Sequence, residues 1–203
     1  MKIITLFLLS ISLFGFAQKN KKGLDVVSNI ETKVLVMKAF GNNSLNKNLQ
    51  PFYGFGFSGN LMTPINFGVG IDYNVLFSNV KYGQQNLYGN LGSPRMTMID
   101  GFLTHRDKLS EEFVVEEMAG FSYYNYTSLY LDEKNRKSKN DGLGFNLGGK
   151  LVYILDMEGY QAVFFGAKYN YFSTNIYNEK PDIQKYYSRS NFLTLSLGYR
   201  YNF

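Results

Sequence analysis

NFLTLSLGYRYNF, residues 191–203, is the stretch whose reading decides the fold. Taken alternately, it separates into Leu193, Leu195, Leu197, Tyr199, Tyr201 and Phe203 on one side and Thr194, Ser196, Gly198, Arg200 and Asn202 on the other. Successive side chains of a β-strand point to opposite faces, so this strand has one apolar and one polar face. Three leucines followed by three aromatics suit an outer face that crosses hydrocarbon and ends in an interfacial aromatic girdle.

The pattern recurs upstream. Val163, Phe165, Ala167, Tyr169 and Tyr171 alternate with Phe164, Gly166, Lys168 and Asn170. Before the Asp156-Met157-Glu158-Gly159 turn, Leu143, Phe145, Leu147, Leu151, Tyr153 and Leu155 alternate with Gly144, Asn146, Gly148 and Lys150. Residues 95–105 set Thr97, Ile99, Gly101 and Leu103 against Met96, Met98, Asp100 and Phe102. Two further runs, Tyr53 to Leu61 and Phe67 to Phe77, flank Thr63-Pro64-Ile65-Asn66, a turn with Pro at its second position. The run 112–126 contains adjacent Glu116 and Glu117, one of which must face outward unless a bulge intervenes or the position lies at the interface. The first run, 31–41, is blurred; Leu35, Met37 and Ala39 are read outward and Val34, Val36 and Lys38 inward.

Between these runs, 42–50, 79–94, 131–141 and 173–190 read as long polar loops, alternating with short turns. The expectation is therefore all-β: an eight-stranded antiparallel up-and-down transmembrane β-barrel. Its strands of roughly 9–14 residues suffice to cross a bilayer at a tilt. Short turns belong on the periplasmic side and long loops outside the cell.

Composition is consistent with that. Mean hydropathy is -0.20 and no stretch beyond the N-terminus is long and apolar enough for a membrane helix. Lys2 followed by an apolar run to Phe16 and the small residue Ala17 reads as a signal peptide, residues 1–17. Residues 18–30 form a polar periplasmic lead-in and 31–203 the barrel. The chain has no Cys, which removes lipoprotein acylation, disulfides and thiolate metal sites.

The charges choose between a membrane barrel and a soluble one. Lys38, Asp72, Asp100, Glu116, Lys150, Lys168 and Arg200 are all read opposite the apolar stripe. Lys150 turned to lipid near the midplane would cost about 2–4 kcal/mol. These seven residues are expected to form an interior charge network. Gly68, Gly70, Gly144, Gly148, Gly166 and Gly198 would give their side chains room.

On these grounds the chain resembles the small eight-stranded outer-membrane barrels, among them the OmpA transmembrane domain and OmpX. The C-terminal strand carries the sharpest likeness. The resemblance implies that Tyr199, Tyr201 and Phe203 act as an assembly signal read by the barrel-assembly machinery, and that the interior is plugged. It does not select a role.

No catalytic, cofactor or metal site is expected. His105 and Asp107 with Ser110 could be read as a hydrolytic dyad with its nucleophile, but they fall at the periplasmic rim. Asp72, Asp100 and Glu116 could be read as a metal cluster, but pairing with the interior cations accounts for them. Gly54-Phe55-Gly56 lies in a strand and opens no helix, so it is no phosphate loop.

Loop cations Lys47, Lys81, Lys134, Arg136, Lys137, Lys139, Lys180, Lys185 and Arg189, set against Asp132, Glu133, Asp141, Glu179 and Asp182, read first as an ordinary solvated loop face and second as a contact for anionic lipopolysaccharide or a surface polymer. The expected partners are outer-membrane lipid and lipopolysaccharide, with no nucleic acid, and the chain is expected to be a monomer. The expected role is structural or surface-interacting, with a closed lumen. The alternatives are a narrow channel for small solutes and a soluble periplasmic ligand-binding barrel.

Overall fold

An isolated strand in hydrocarbon leaves backbone N–H and C=O groups unpaired, and only closure of the sheet removes both edges. The chain solves this with eight antiparallel strands in sequence order, the first paired to the last. They are β1 (Asn29–Phe40), β2 (Phe52–Met62), β3 (Phe67–Phe77), β4 (Leu91–Lys108), β5 (Phe113–Tyr130), β6 (Lys137–Ile154), β7 (Gln161–Thr174) and β8 (Arg189–Asn202). The structure, a computed structural model, describes residues 28–85, 88–132 and 136–203. The expected signal peptide and nearly all of the lead-in lie outside the described residues.

Local chemistry makes the short turns. Asn66, at φ 66°, takes the left-handed conformation that Asn tolerates, and its N–H reaches the Thr63 carbonyl at 3.2 Å. The Asp156 carboxylate accepts from the Tyr160 and Gln161 N–H groups at 3.2 and 2.8 Å. At the other end, the longer connections carry structure that their polar composition hides. Helix α1 (Ser44–Asn48) starts where the Asn43 side chain accepts from the Asn46 N–H at 2.8 Å. Helix α2 (Pro181–Ser188) has Pro in its first turn.

Two expectations require correction. Residues 131–141 and 79–94 are not all loop: β6 begins at Lys137, paired with β5 from Leu129↔Lys137 onward, and β4 begins at Leu91, paired with Tyr130. Strands β4, β5 and β6 have 18 residues each, well beyond what a crossing needs, so they project past the mouth as a flap. At the start of β6, residues 137–141, both faces are largely exposed, and hydropathy carries no alternation.

The facing of β1 is also the reverse of the reading above. Leu35, Met37 and Ala39 are buried, whereas Val34, Val36 and Lys38 are exposed. The strand begins at Asn29, and Glu31 and Lys33 share the parity of Leu35. Turning that face outward would put two charges in lipid. Instead Val34 and Val36 lie opposite Leu197 and Leu195 of β8 on the outer wall.

That wall is apolar around its middle: Phe57, Ile71, Phe121, Leu147, Phe165 and Leu197 are all exposed. Aromatic pairs flank it toward both ends, with Phe113–Tyr153 and Tyr160–Tyr201 on the short-turn side and Phe40–Tyr169 on the other. The interior holds the charges. A soluble ligand-binding barrel needs the opposite polarity. Pairing of β5 with β6 is continuous through Glu116 and Glu117, so no bulge intervenes. Glu116 points in and Glu117 out, opposite His105 at the rim.

Candidate functional site in the barrel lumen

Each strand sends alternate residues into a space that eight strands leave just wide enough for side chains. Arg200 of β8 is the hub. Its Nε and Nη2 donate to Glu31 Oε1 at 2.9 and 2.6 Å, its Nη1 donates to Glu116 Oε1 at 2.8 Å, and Nη2 also reaches Glu116 Oε2. Arg106 Nε adds a bond to Glu116 Oε1 at 2.6 Å, and Lys150 Nζ one to Glu31 Oε2 at 2.6 Å. Deeper along the axis, Lys168 Nζ bridges Asp72 (2.8 Å) and Asp100, while Lys33 Nζ lies 2.8 Å from Asp72 Oδ2. Ser58 of β2 joins the two groups, donating to Glu31 Oε2 at 2.9 Å and accepting from Lys33 Nζ at 3.3 Å. All eight strands contribute to one network.

Six of the seven residues expected there are present: Asp72, Asp100, Glu116, Lys150, Lys168 and Arg200. Lys38 is not. It stands on the outer wall near the mouth, where a long stem lets its ammonium reach the interface. Glu31, Lys33 and Arg106 take part without having been expected. The signal for the first two was parity, since Glu31 and Lys33 outvote Lys38. Arg106 was hidden because His105-Arg106-Asp107 reads as a turn, whereas β4 runs on to Lys108.

Among the described residues, five cations (Lys33, Arg106, Lys150, Lys168, Arg200) thus face four anions (Glu31, Asp72, Asp100, Glu116). The glycines do only part of what was expected of them. A Cβ on Gly148 would meet Lys168, and one on Gly166 would come within 3.4 Å of the Lys150 stem. At Gly70 and Gly198 the neighbours are instead the rings of Phe102 and Phe164. Asp72 Oδ1 and the Asn74 amide find no partner among the described residues, and both side chains line a cavity of about 20 Å³. That is room for about one water molecule, not for a water column.

Above the charges the lumen turns apolar, which the expectation of a polar interior missed. Leu35, Met37, Phe52, Leu76, Met96 and Met98 pack with Tyr124, Tyr126, Phe172 and Phe192. Edge-on ring contacts tie them together: Tyr124–Phe172 at 4.5 Å, Phe172–Phe192 at 5.6 Å and Phe52–Phe192 at 6.4 Å between centroids. Loops lock this plug from outside. Leu49, just past α1, pairs with Val80, Lys81 Nζ donates to the Asn46 carbonyl at 2.7 Å, and the Tyr88 and Tyr126 hydroxyls hydrogen-bond. Burial holds the Tyr88 phenol above its usual pKa range, so it stays protonated at neutral pH. A smaller apolar layer, Val114, Val152, Ala162 and Phe164, lies toward the short-turn end.

His105 packs at a tilt against Phe67 with centroids 4.6 Å apart, and its Nδ1 lies 3.6 Å from Asp107 and 3.7 Å from Glu117. The Ser110 hydroxyl instead accepts from the N–H groups of Glu112 and Phe113 at 3.3 and 3.1 Å, inside the turn. Asp72, Asp100 and Glu116 are each held by a Lys or Arg.

Closure, strand order, an apolar wall and a charged interior give the class: this is the fold of the small eight-stranded outer-membrane barrels. No protein-family model and no curated protein matches the chain. Among solved structures it is similar to Neisserial surface protein A, with a TM-score of 0.63 at 14% identity over 87% of this chain and 97% of that one. It is similar also to a major outer membrane protein from Thermus thermophilus, with a TM-score of 0.58 at 11% identity over 87% and 99%. A third is Ail, the attachment invasion locus protein of Yersinia pestis, solved with the heparin analogue sucrose octasulfate. It matches with a TM-score of 0.56 at 12% identity over 89% and 100%. At these identities the likeness is one of fold.

Proposed function

We propose that this chain is a monomeric integral protein of a bacterial outer membrane, with a closed lumen and a structural or surface-interacting role. It would be exported by the signal peptide at residues 1–17 and inserted by the barrel-assembly machinery, with the strand ending in Tyr199, Tyr201 and Phe203 as its recognition signal. The observation that carries the reading is the double seal of the lumen. A charge network spans all strands beneath an aromatic plug pinned by two loops. Both layers lie across the path that a water-filled passage would take.

Contact with lipopolysaccharide is part of the same reading. Cross-strand pairing aligns Tyr53, Phe77, Arg95, Thr127 and Lys139 in one outward row near the mouth. The Arg95 guanidinium lies 5.6 Å from the centre of the Phe77 ring. Cations set among aromatics at headgroup height suit the phosphates of an anionic outer leaflet.

The test is to produce the protein in a Gram-negative host, show heat-modifiable mobility in the outer-membrane fraction, and record it in a planar bilayer. No steady conductance is expected. Large, long-lived openings would move the reading to a channel, and recovery from the periplasm as a soluble protein would remove it.

A further inference from the structure

The extracellular mouth holds a cavity that the account of the lumen does not use. The apolar plug is its floor, the β4–β6 flap one wall, and helices α1 and α2 the opposite rim. Its volume is about 310 Å³, at the lower end of the ~300–1,000 Å³ typical of small-molecule sites. Because the plug closes it below, this is a dead-end cup: a solute that enters must leave by the way it came.

Its chemistry is selective. The buried Tyr124 and Tyr126 show only their edges at the floor, Tyr88 and the exposed Tyr187 of α2 stand at the sides, Leu45, Leu91 and Ile176 add apolar surface, and Ser138, Asn140 and Thr174 supply short polar groups. Among the described residues no Lys, Arg, Asp, Glu or His lines it, although the surrounding loops are rich in them. An anionic occupant would therefore be desolvated with no cation among the described lining residues to meet it. An alkyl chain would cover the Ser, Thr and Asn groups without returning a hydrogen bond. A pyranose meets both demands, because its C–H face lies on an aromatic ring while its hydroxyl edge bonds hydroxyls and amides.

The floor is held in advance of any ligand. The Tyr126 phenol is bonded to Tyr88 and accepts from Ser128 at 3.1 Å, and the Thr174 hydroxyl donates to the Asp141 carbonyl at 2.5 Å. The side chains of Ser138 and Asn140 make no hydrogen bond with any described residue. Rigid rings with polar groups kept in reserve lower the ordering cost of binding.

We propose that this cup binds a neutral saccharide unit, one or two pyranose rings of an uncharged glycan, at the cell surface.

The probe set is maltose, cellobiose, lactose and mannobiose, with a heparin disaccharide and decanoate as charged and aliphatic comparators. Binding to the folded, detergent-solubilised barrel is read by saturation-transfer NMR, with heat-modifiable mobility confirming the fold of every variant. Saturable binding of at least one neutral disaccharide is expected. It should weaken about ten-fold in Tyr187→Ala, which removes a ring from an exposed helix outside the barrel wall, and vanish in Asn140→Trp, which fills the cup. Three results would each overturn the proposal: no saturable binding of any neutral disaccharide, undiminished binding in folded Asn140→Trp, or a preference for either comparator.

Discussion

The guanidinium of Arg200 is shared between Glu31 and Glu116 and supplies four of the bonds to them, the rest coming from Lys150, Ser58 and Arg106. Removing one member of a buried ionic group leaves the others uncompensated, at a cost of about 3–5 kcal/mol. Arg200→Met should therefore lower the Tm of the folded barrel clearly. Lys38→Ala, on the outer wall, should change stability by no more than about 0.5 kcal/mol. Thermal melts in lipid vesicles read both, and a Lys38→Ala loss as large as that of Arg200→Met would contradict the network drawn here. The contrast shows what was legible at this scale. Arg200, Lys150 and Lys168 stand opposite clean apolar stripes, so their direction could be read. In β1 both faces are apolar, because Val34 and Val36 meet lipid while Leu35, Met37 and Ala39 meet the plug. Hydropathy cannot rank two greasy faces, and the choice rested on Lys38 when Glu31 and Lys33 should have outweighed it.

At the level of elements, β8 carries the most. It closes the barrel against β1, supplies Arg200, and its final Phe203 N–H donates to the Ser28 carbonyl at 2.9 Å while its ring lies exposed. Phe203→Ser keeps that backbone bond and removes only one exposed ring, so its effect on the stability of the folded barrel should be small. If the terminal aromatic is an assembly signal, the amount of heat-modifiable protein in the outer membrane should nevertheless fall sharply. Normal levels would sink that role. The connections make a second prediction. An epitope tag between Leu131 and Lys137 should be reached by antibody on intact cells, whereas one at Asp156–Gly159 should not. The reverse labelling would invert the orientation. Strands crossing the wall were legible from their alternation. The upper parts of β5 and β6, and helices α1 and α2, were not. Outside the membrane both faces of a strand are solvated, and a five-residue helix such as α1 leaves almost no periodic trace.

For the whole molecule, polarity is the organising fact. An apolar wall surrounds a charged lower lumen and an apolar, aromatic-rich upper one, over which the loop bearing α1 is bonded to Lys81. The apolar half of the lumen was the part least legible beforehand. Met96 and Met98 already stood on the inward side of β4, but a membrane barrel's interior is expected to be polar, and only the register that sets them beside Leu76, Tyr124 and Tyr126 reveals a plug. The chain has no Cys, so single cysteines can report each face without background. The most direct test places one at Leu147, at mid-wall, and one at Ser122, in the lumen, in the protein reconstituted into vesicles. The account predicts that a spin label at Leu147 is relaxed by oxygen and not by a water-soluble nickel complex, and that Ser122→Cys resists a water-soluble thiosulfonate. Relaxation of the Leu147 label by the nickel complex would contradict the membrane-facing wall, and rapid modification of Ser122→Cys would contradict the closed lumen.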